Sequence, residues 1–215
     1  YDGVSGIYPS RLANPLFRWE ENKKLEASLE LGFLNDKILL TTNFYRNISS
    51  NQLVDFALTP QVGFTEMTAN FPATVLNTGW EFELNATNIS NKNFTWKTAL
   101  NLTVNKNKLK EFPDLESSTY KDLYVLGQSL TIVRGFQFNR IDPQTGLPEF
   151  EDIDKSGDIS DPDDFVILGK TMPDYFGGFR NTFTYKGFEL DFLFQFVKQD
   201  GRNTNYGSLS NQPGA

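Results

Sequence analysis

Apolar and polar residues alternate one for one through six stretches of this 215-residue chain. A period of two puts successive side chains on opposite faces of an extended strand. From Lys23 to Phe33, Leu25, Ala27, Leu29, Leu31 and Phe33 take one side, and Glu26, Ser28 and Glu30 take the other. Ile38 to Ile48 repeats the pattern with Leu40, Thr42 and Phe44. Trp80, Phe82, Leu84 and Ala86 lie opposite Glu81, Glu83 and Asn85. Phe94, Trp96, Leu100, Leu102 and Val104 lie opposite Lys97, Asn101 and Thr103. Near the end, Phe188, Leu190, Phe192, Phe194 and Phe196 lie opposite Glu189, Asp191 and Gln195.

The alternation predicts six consecutive antiparallel strands, each with one greasy face. They are Lys23–Leu34, Lys37–Ile48, Asn77–Asn88, Asn93–Val104, Asp174–Lys186 and Gly187–Lys198. Turn-forming pairs, Asn35-Asp36, Ser90-Asn91 and Lys186-Gly187, join them into three hairpins. Leu29, Phe82, Leu100 and Phe192 are expected on the greasy face, and Glu30, Glu83, Asn101 and Asp191 on the other. Arg180 and Asn181 interrupt the pattern of their strand and take no assignment from sequence.

Strand length and loop asymmetry bear on what covers the greasy face. About ten residues per strand exceeds the usual five or six and, tilted, spans the hydrocarbon core of a bilayer. Turns within hairpins are short, whereas the connections 49–76 and 105–174 are long. Short turns at one end and long loops at the other mark outer-membrane barrels. Trp80, Trp96, Tyr185 and Phe188, near strand ends, suit interfacial girdles. The expected fold class is therefore all-β, an antiparallel transmembrane β-barrel segment of about six long strands. Parity puts the short turns on the periplasmic side and both long connections outside. Because known barrels of this kind have at least about eight strands, the chain is expected to be part of a larger barrel. A soluble β-sandwich or barrel with its greasy face turned inward also alternates and is the competing architecture.

Composition narrows the chemistry. Phe is 20 and Met 2, with aromatics at 14%, a mixture that favours strands over helices. The formal charge of −7 leaves no basic stripe for phosphodiesters, so nucleic acid is not an expected partner. His and Cys are both 0, which removes Ser-His-Asp and Cys-His catalysis, Cys/His zinc sites and disulfides. No enzyme is expected. No run of about 18 apolar residues marks a membrane helix. The chain opens on Tyr1 with no leader pattern, so a processed chain or a piece of a longer one is expected.

One segment has metal-ligand spacing. Asp152, Asp154, Ser156, Gly157, Asp158 and Asp163 fall at positions 1, 3, 5, 6, 7 and 12 of an EF-hand-like loop. Asp152, Asp154 and Ser156 would give side-chain oxygens to Ca²⁺, Asp158 its carbonyl, and Asp163 the closing carboxylate. Asp163 stands where a longer Glu is usual, and Pro162 argues against flanking helices. The competing reading is a solvated acidic loop whose Asp residues cap turns. Glu26, Glu30, Glu81, Glu83, Glu189 and Asp191 read first as a solvated lumen wall and second as a path for polar substrate. Loop aromatics Phe56, Phe64, Phe71, Tyr120, Tyr124, Phe136 and Phe138 read first as loop packing and second as platforms for sugar rings.

Four segments resemble, in order, parts of SusC/RagA-type TonB-linked outer-membrane transporters. They are Ser10-Arg11-Leu12-Ala13-Asn14-Pro15 with Arg18-Trp19-Glu20, and Gly32 to Ile38 with Phe44-Tyr45. Asn77-Thr78-Gly79-Trp80-Glu81-Phe82-Glu83 follows. The last runs from Asp152 to Asp164, then Gly169, Pro173, Gly177-Gly178-Phe179 and Tyr185-Lys186-Gly187-Phe188. The resemblance implies that residues 1–215 are late strands of one barrel domain, without its plug or final strands, and that 105–174 is an extracellular loop region. It implies a bacterial outer-membrane importer of glycans or peptides, working with a SusD-like surface lipoprotein. TonB would act through an N-terminal part that this sequence does not contain. A porin or adhesin barrel without active import, and a soluble β-rich carbohydrate-binding module, are the alternative functions.

Overall fold

In a computed structural model of the chain, residues 13–201 are described. The strands are β1 (Glu21–Phe33), β2 (Ile38–Ser50), β3 (Leu53–Ala57), β4 (Glu66–Asn70), β5 (Thr74–Ser90) and β6 (Phe94–Glu111). They continue as β7 (Ile132–Phe136), β8 (Phe138–Ile141), β9 (Pro148–Phe150), β10 (Phe165–Lys170), β11 (Tyr175–Tyr185) and β12 (Phe188–Lys198). Among the described residues the helical content is two short 3₁₀ turns, Pro60–Val62 and Leu115–Ser117.

Six strands make one sheet in the order β1-β2-β5-β6-β11-β12, every neighbouring pair antiparallel. These are the six expected strands in the expected order. Two of the hairpin turns bend through left-handed residues. Asn35 (φ 54) and Asp36 (φ 61) are left-handed, a conformation those two side chains tolerate. Lys186 (φ 45) leads into Gly187 (φ 89), two consecutive positive angles that match the strand twist in a two-residue hairpin.

The register settles the faces. Leu29, Thr42, Phe82, Leu102, Gly177 and Phe196 form one cross-strand row, and Leu31, Leu40, Leu84, Leu100, Phe179 and Phe194 form the next. Phe33, Ile38, Ala86, Thr98, Asn181 and Phe192 follow on the same face. Glu30, Thr41, Glu83, Asn101, Gly178 and Gln195 make a row on the opposite face, where Asp191 also lies. Arg180 belongs to that polar face and Asn181 to the apolar one.

Two expected boundaries are corrected. β5 has 17 residues and β6 has 18, and both run past the expected limits Asn77 and Val104. Beyond Val104 the alternation continues with lysine instead of apolar residues, so hydrophobicity stops while pairing does not. The long connections also hold structure of their own. β3 pairs with β4, β7 with β10, and β8 with β9 as three two-stranded ribbons.

The buried core is small and lies at the loop end. Leu109 is 0% exposed and packs with Ala73, Phe112 and Leu115, ringed by Phe71, Tyr120, Tyr124 and Leu130. Phe71 meets Phe112 and Tyr120 edge-on at 5.3 and 5.2 Å. Three of the loop aromatics, Phe71, Tyr120 and Tyr124, therefore pack the loops, and Phe136 does the same against Phe150 and Phe165. The side chain of Phe56 lies outside the described residues. The apolar face of the six-stranded sheet, by contrast, is bare among the described residues. Leu29 is 57% exposed and Phe194 62%.

Candidate functional site

The sheet offers two chemically different walls. On the apolar wall, aromatic side chains collect at both ends. Phe44, Trp80 and Tyr175 sit at the loop end, with Phe44 and Trp80 5.0 Å apart and Trp80 stacked on Phe82 at 6.1 Å. Phe94, Trp96, Phe183 and Tyr185 sit at the turn end, Trp96 stacked on Phe183 at 5.5 Å. One polar residue stands inside this wall. Asn181 is only 3% exposed, and its Oδ1 accepts from Trp96 Nε1–H and Thr98 Oγ1–H, each at 2.9 Å. Thr98 accepts in turn from Asn88 Nδ2 at 2.7 Å. The chain Asn88–Thr98–Asn181–Trp96 satisfies an amide that would otherwise be costly on an apolar surface. Register alone reveals it; the sequence shows only a polar residue out of phase.

The polar wall is knitted by hydrogen bonds. Arg180 Nε meets Asp191 Oδ2 at 2.7 Å, and Thr182 Oγ1 donates to the same oxygen at 2.6 Å. Asn107 Nδ2 donates to Asn77 Oδ1 at 2.7 Å, and Asn85 Nδ2 to Glu83 Oε1 at 2.8 Å. A recess of about 580 Å³ opens here among Glu26, Ser28, Asn43, Tyr45, Asn47 and Glu81. Asn47 Oδ1 and Asn105 Oδ1 are buried without a partner. This wall accepts polar groups and water.

The acidic loop closes differently from its spacing. Asp152, Asp154 and Asp164 bring carboxylate oxygens within 4.8 Å of one another. Asp163, the expected closing residue, is exposed and outside that group, while its neighbour Asp164 is 0% exposed. Asp164 Oδ1 accepts from Ile153 N–H at 2.7 Å, and its Oδ2 from Ser160 N–H at 2.8 Å. Asp152 accepts from Ser156 N–H at 3.1 Å and Gly157 N–H at 2.8 Å, with Gly157 at φ 94 making the turn. Ser156 Oγ–H donates to the Asp158 carbonyl at 3.0 Å, which occupies two of the expected ligands with each other. Hydrogen bonding from Ser156, side chain first and backbone second, holds the Asp154 carboxyl below its ordinary range. The loop is thus an acid-lined turn whose carboxylates are organised by backbone donors. Spacing points to Asp163, whereas the backbone N–H groups of Ile153 and Ser160 engage its neighbour Asp164.

The chain is similar to known receptors along most of its length. TonB-dependent receptor P26 of Formosa agariphila is 32% identical over 217 residues, taking in 89% of this chain and 21% of that protein. TonB-dependent receptor SusC of Bacteroides thetaiotaomicron is 26% identical over 93% of this chain and 21% of its own length. The chain belongs with the SusC/RagA-type TonB-dependent receptors. Its fold agrees. The structure of the RagAB peptide transporter superposes with a TM-score of 0.70 over 92% of this chain and 23% of that one, at 21% identity. No family model matches. This SusC/RagA-type chain thus spans roughly a fifth of the length of the curated relatives named here. Those relatives carry the names of receptors and transporters, not enzymes.

Proposed function

We propose that the chain supplies late strands of a transmembrane β-barrel in a bacterial outer membrane. The protein would be a TonB-dependent importer of glycans or peptides that works with a SusD-like lipoprotein. The observation that carries the barrel reading is the bare apolar wall with aromatics at both ends. From Phe188 to Phe196, extended by the row of Tyr175 and Lys198, the wall covers ten residue steps along β12. At about 3.3 Å per step and a tilt near 40°, that is roughly 25 Å of membrane, the height of a barrel's apolar band. A soluble sandwich would have to bury this face.

On this reading the apolar wall meets lipid and the polar wall lines the lumen. The three hairpin turns are periplasmic, and the ribbons and aromatic core of the long connections are extracellular. The SusC and RagAB names support import with a lipoprotein partner. TonB would engage a part of the receptor other than these strands. The test has three arms on the intact protein. The barrel reading expects enrichment in the outer-membrane fraction and a heat-dependent gel shift. The import reading expects uptake that stops in a TonB-deficient strain. The partner reading expects a surface lipoprotein to co-purify. Uptake that persists without TonB would instead make the protein a porin.

For the acidic loop we propose a weak Ca²⁺ site on Asp152, Asp154 and Asp164, supported by their convergence within 4.8 Å. Extracellular calcium sites work in the millimolar range. Calorimetry of the intact protein should show heat on calcium addition that Asp164→Asn abolishes. No heat in the wild type leaves a hydrogen-bonded acidic turn.

A further inference from the structure

Charge is sorted by face at the loop end of the sheet. On the polar side lie Glu26 and Glu81, with Lys24 one row beyond Glu26; on the apolar side, directly beyond the Phe44–Trp80–Tyr175 girdle, the charges are mainly basic, with Glu21 at the start of β1. The row Leu25, Arg46, Thr78, Lys106 comes first, and the row Lys23, Ile48, Leu76, Lys108 comes second. Arg46, Lys106 and Lys108 are exposed, and among the described residues they make no ion pair. Lys23 pairs with Glu21 at 3.3 Å, and Lys198 with Asp174 at 3.1 Å, so those two are occupied.

The spacing of the three free cations suits one anionic headgroup. Arg46 and Lys106 lie two strands apart, about 10 Å, and Lys106 and Lys108 two residues apart, about 7 Å. Their flexible stems allow the charged ends to close on a common group. Beside the two lysines is a recess of about 410 Å³ walled by Gly127, Ser129, Ile132 and Lys170, with Asp200 the one carboxylate on its rim. Lys170 is itself tied to Asp174 at 2.9 Å.

We propose that Arg46, Lys106 and Lys108 bind the phosphorylated headgroup of an anionic glycolipid in the outer leaflet. This rests on the barrel reading above, which puts these residues at the lipid-facing surface just outside the hydrocarbon band. Three observations favour a lipid over a soluble anion. The cations face the same way as the apolar wall and not the lumen. They begin where the aromatic girdle ends, at headgroup depth. Basic residues at that depth attract anionic headgroups. Guanidinium and ammonium groups left unpaired there gain charge-assisted hydrogen bonds from phosphate oxygens.

The test uses the intact receptor in neutral detergent, wild type beside the triple variant Arg46→Gln, Lys106→Gln, Lys108→Gln. Heat-dependent gel migration is measured first, for both. A fluorescent bis-phosphorylated glycolipid is then titrated in mixed micelles, beside its dephosphorylated counterpart and inorganic phosphate. At about fivefold per cation near the surface, the triple variant should bind roughly 100-fold more weakly. Lys24→Gln, a cation on the polar wall, should bind as wild type does. Equal binding by the triple variant, or equal binding of the dephosphorylated lipid, overturns the proposal. So does competition by inorganic phosphate at the glycolipid's own affinity, which would mark a soluble-anion site. A wild type without heat-dependent migration overturns the barrel reading instead, and the two failures are distinct.

Discussion

Replacing Phe192 by Arg separates a lipid-facing wall from a solvated one. Phe192 is the central position of the apolar run Phe188–Phe196 on β12, so it sits near mid-depth of the band. An arginine at the midplane on a barrel's lipid face costs about 2–4 kcal/mol. The substitution also removes the stack on Phe183 at 6.0 Å and the edge contact with Phe194 at 5.4 Å. Such aromatic pairs add about 0.5–1.5 kcal/mol each beyond burial, so with both lost the total is about 3–7 kcal/mol. Asp191→Arg, one residue away on the polar wall, removes the exposed pair with Arg180 and sets two cations side by side. Exposed pairs contribute about 0–1 kcal/mol, so this loss should be about 1–2 kcal/mol. Both variants of the intact protein would be unfolded by guanidinium in lipid vesicles, read through the fluorescence of Trp80 and Trp96. Equal losses, or the larger loss at Asp191, would refute the assignment of faces.

Other expectations follow from the same geometry. Asn181→Leu strands the Trp96 N–H and the Thr98 hydroxyl and should cost about 1–3 kcal/mol in that unfolding assay despite the gain in hydrophobicity. Gly177→Val drives a side chain into the Asn101 carbonyl on β6 and the Phe196 ring, and should lose about 1–3 kcal/mol. Asp174, outside the spanning strands, is held below the ordinary carboxylate range by hydrogen bonds from Lys170 first and Lys198 second. Its depressed value means that its contribution is present above the unfolded pKa, about 3.9, and is lost as pH falls through the folded value. Amide exchange across Phe165–Lys170 should therefore accelerate only in strong acid, and Asp174→Asn should already exchange faster at neutral pH.

What the sequence revealed was set by where hydrophobicity and geometry coincide. All six long strands were legible because apolar alternation and side-chain period are the same number. The upper part of β6 was not, because Lys106 and Lys108 take the outward places that leucine and valine hold lower down. The three loop ribbons were hidden for a different reason. β7 and β10 are brought together only after a long intervening loop closes, and no local pattern announces that. In the candidate site, Asp152 and Asp154 were legible from spacing. Asp164 was not, since its burial comes from backbone donors supplied by Ile153 and Ser160. Asn181 needed the neighbouring strand's register before its out-of-phase position made sense.

The central claim is that one face of this sheet meets lipid and the other water. These residues contain 0 cysteines, so in an intact protein with any cysteine elsewhere replaced, spin labels can be placed one at a time on single cysteines from Glu189 to Val197 along β12. Collision with dissolved oxygen and with a polar nickel chelate would be measured for each label in the vesicle-embedded protein. Positions 190, 192, 194 and 196 should favour oxygen, with the contrast greatest at 192 and 194. Positions 189, 191 and 195 should favour the chelate. A period of two in that phase is the result predicted here; uniform access of the chelate, or the opposite phase, would contradict it.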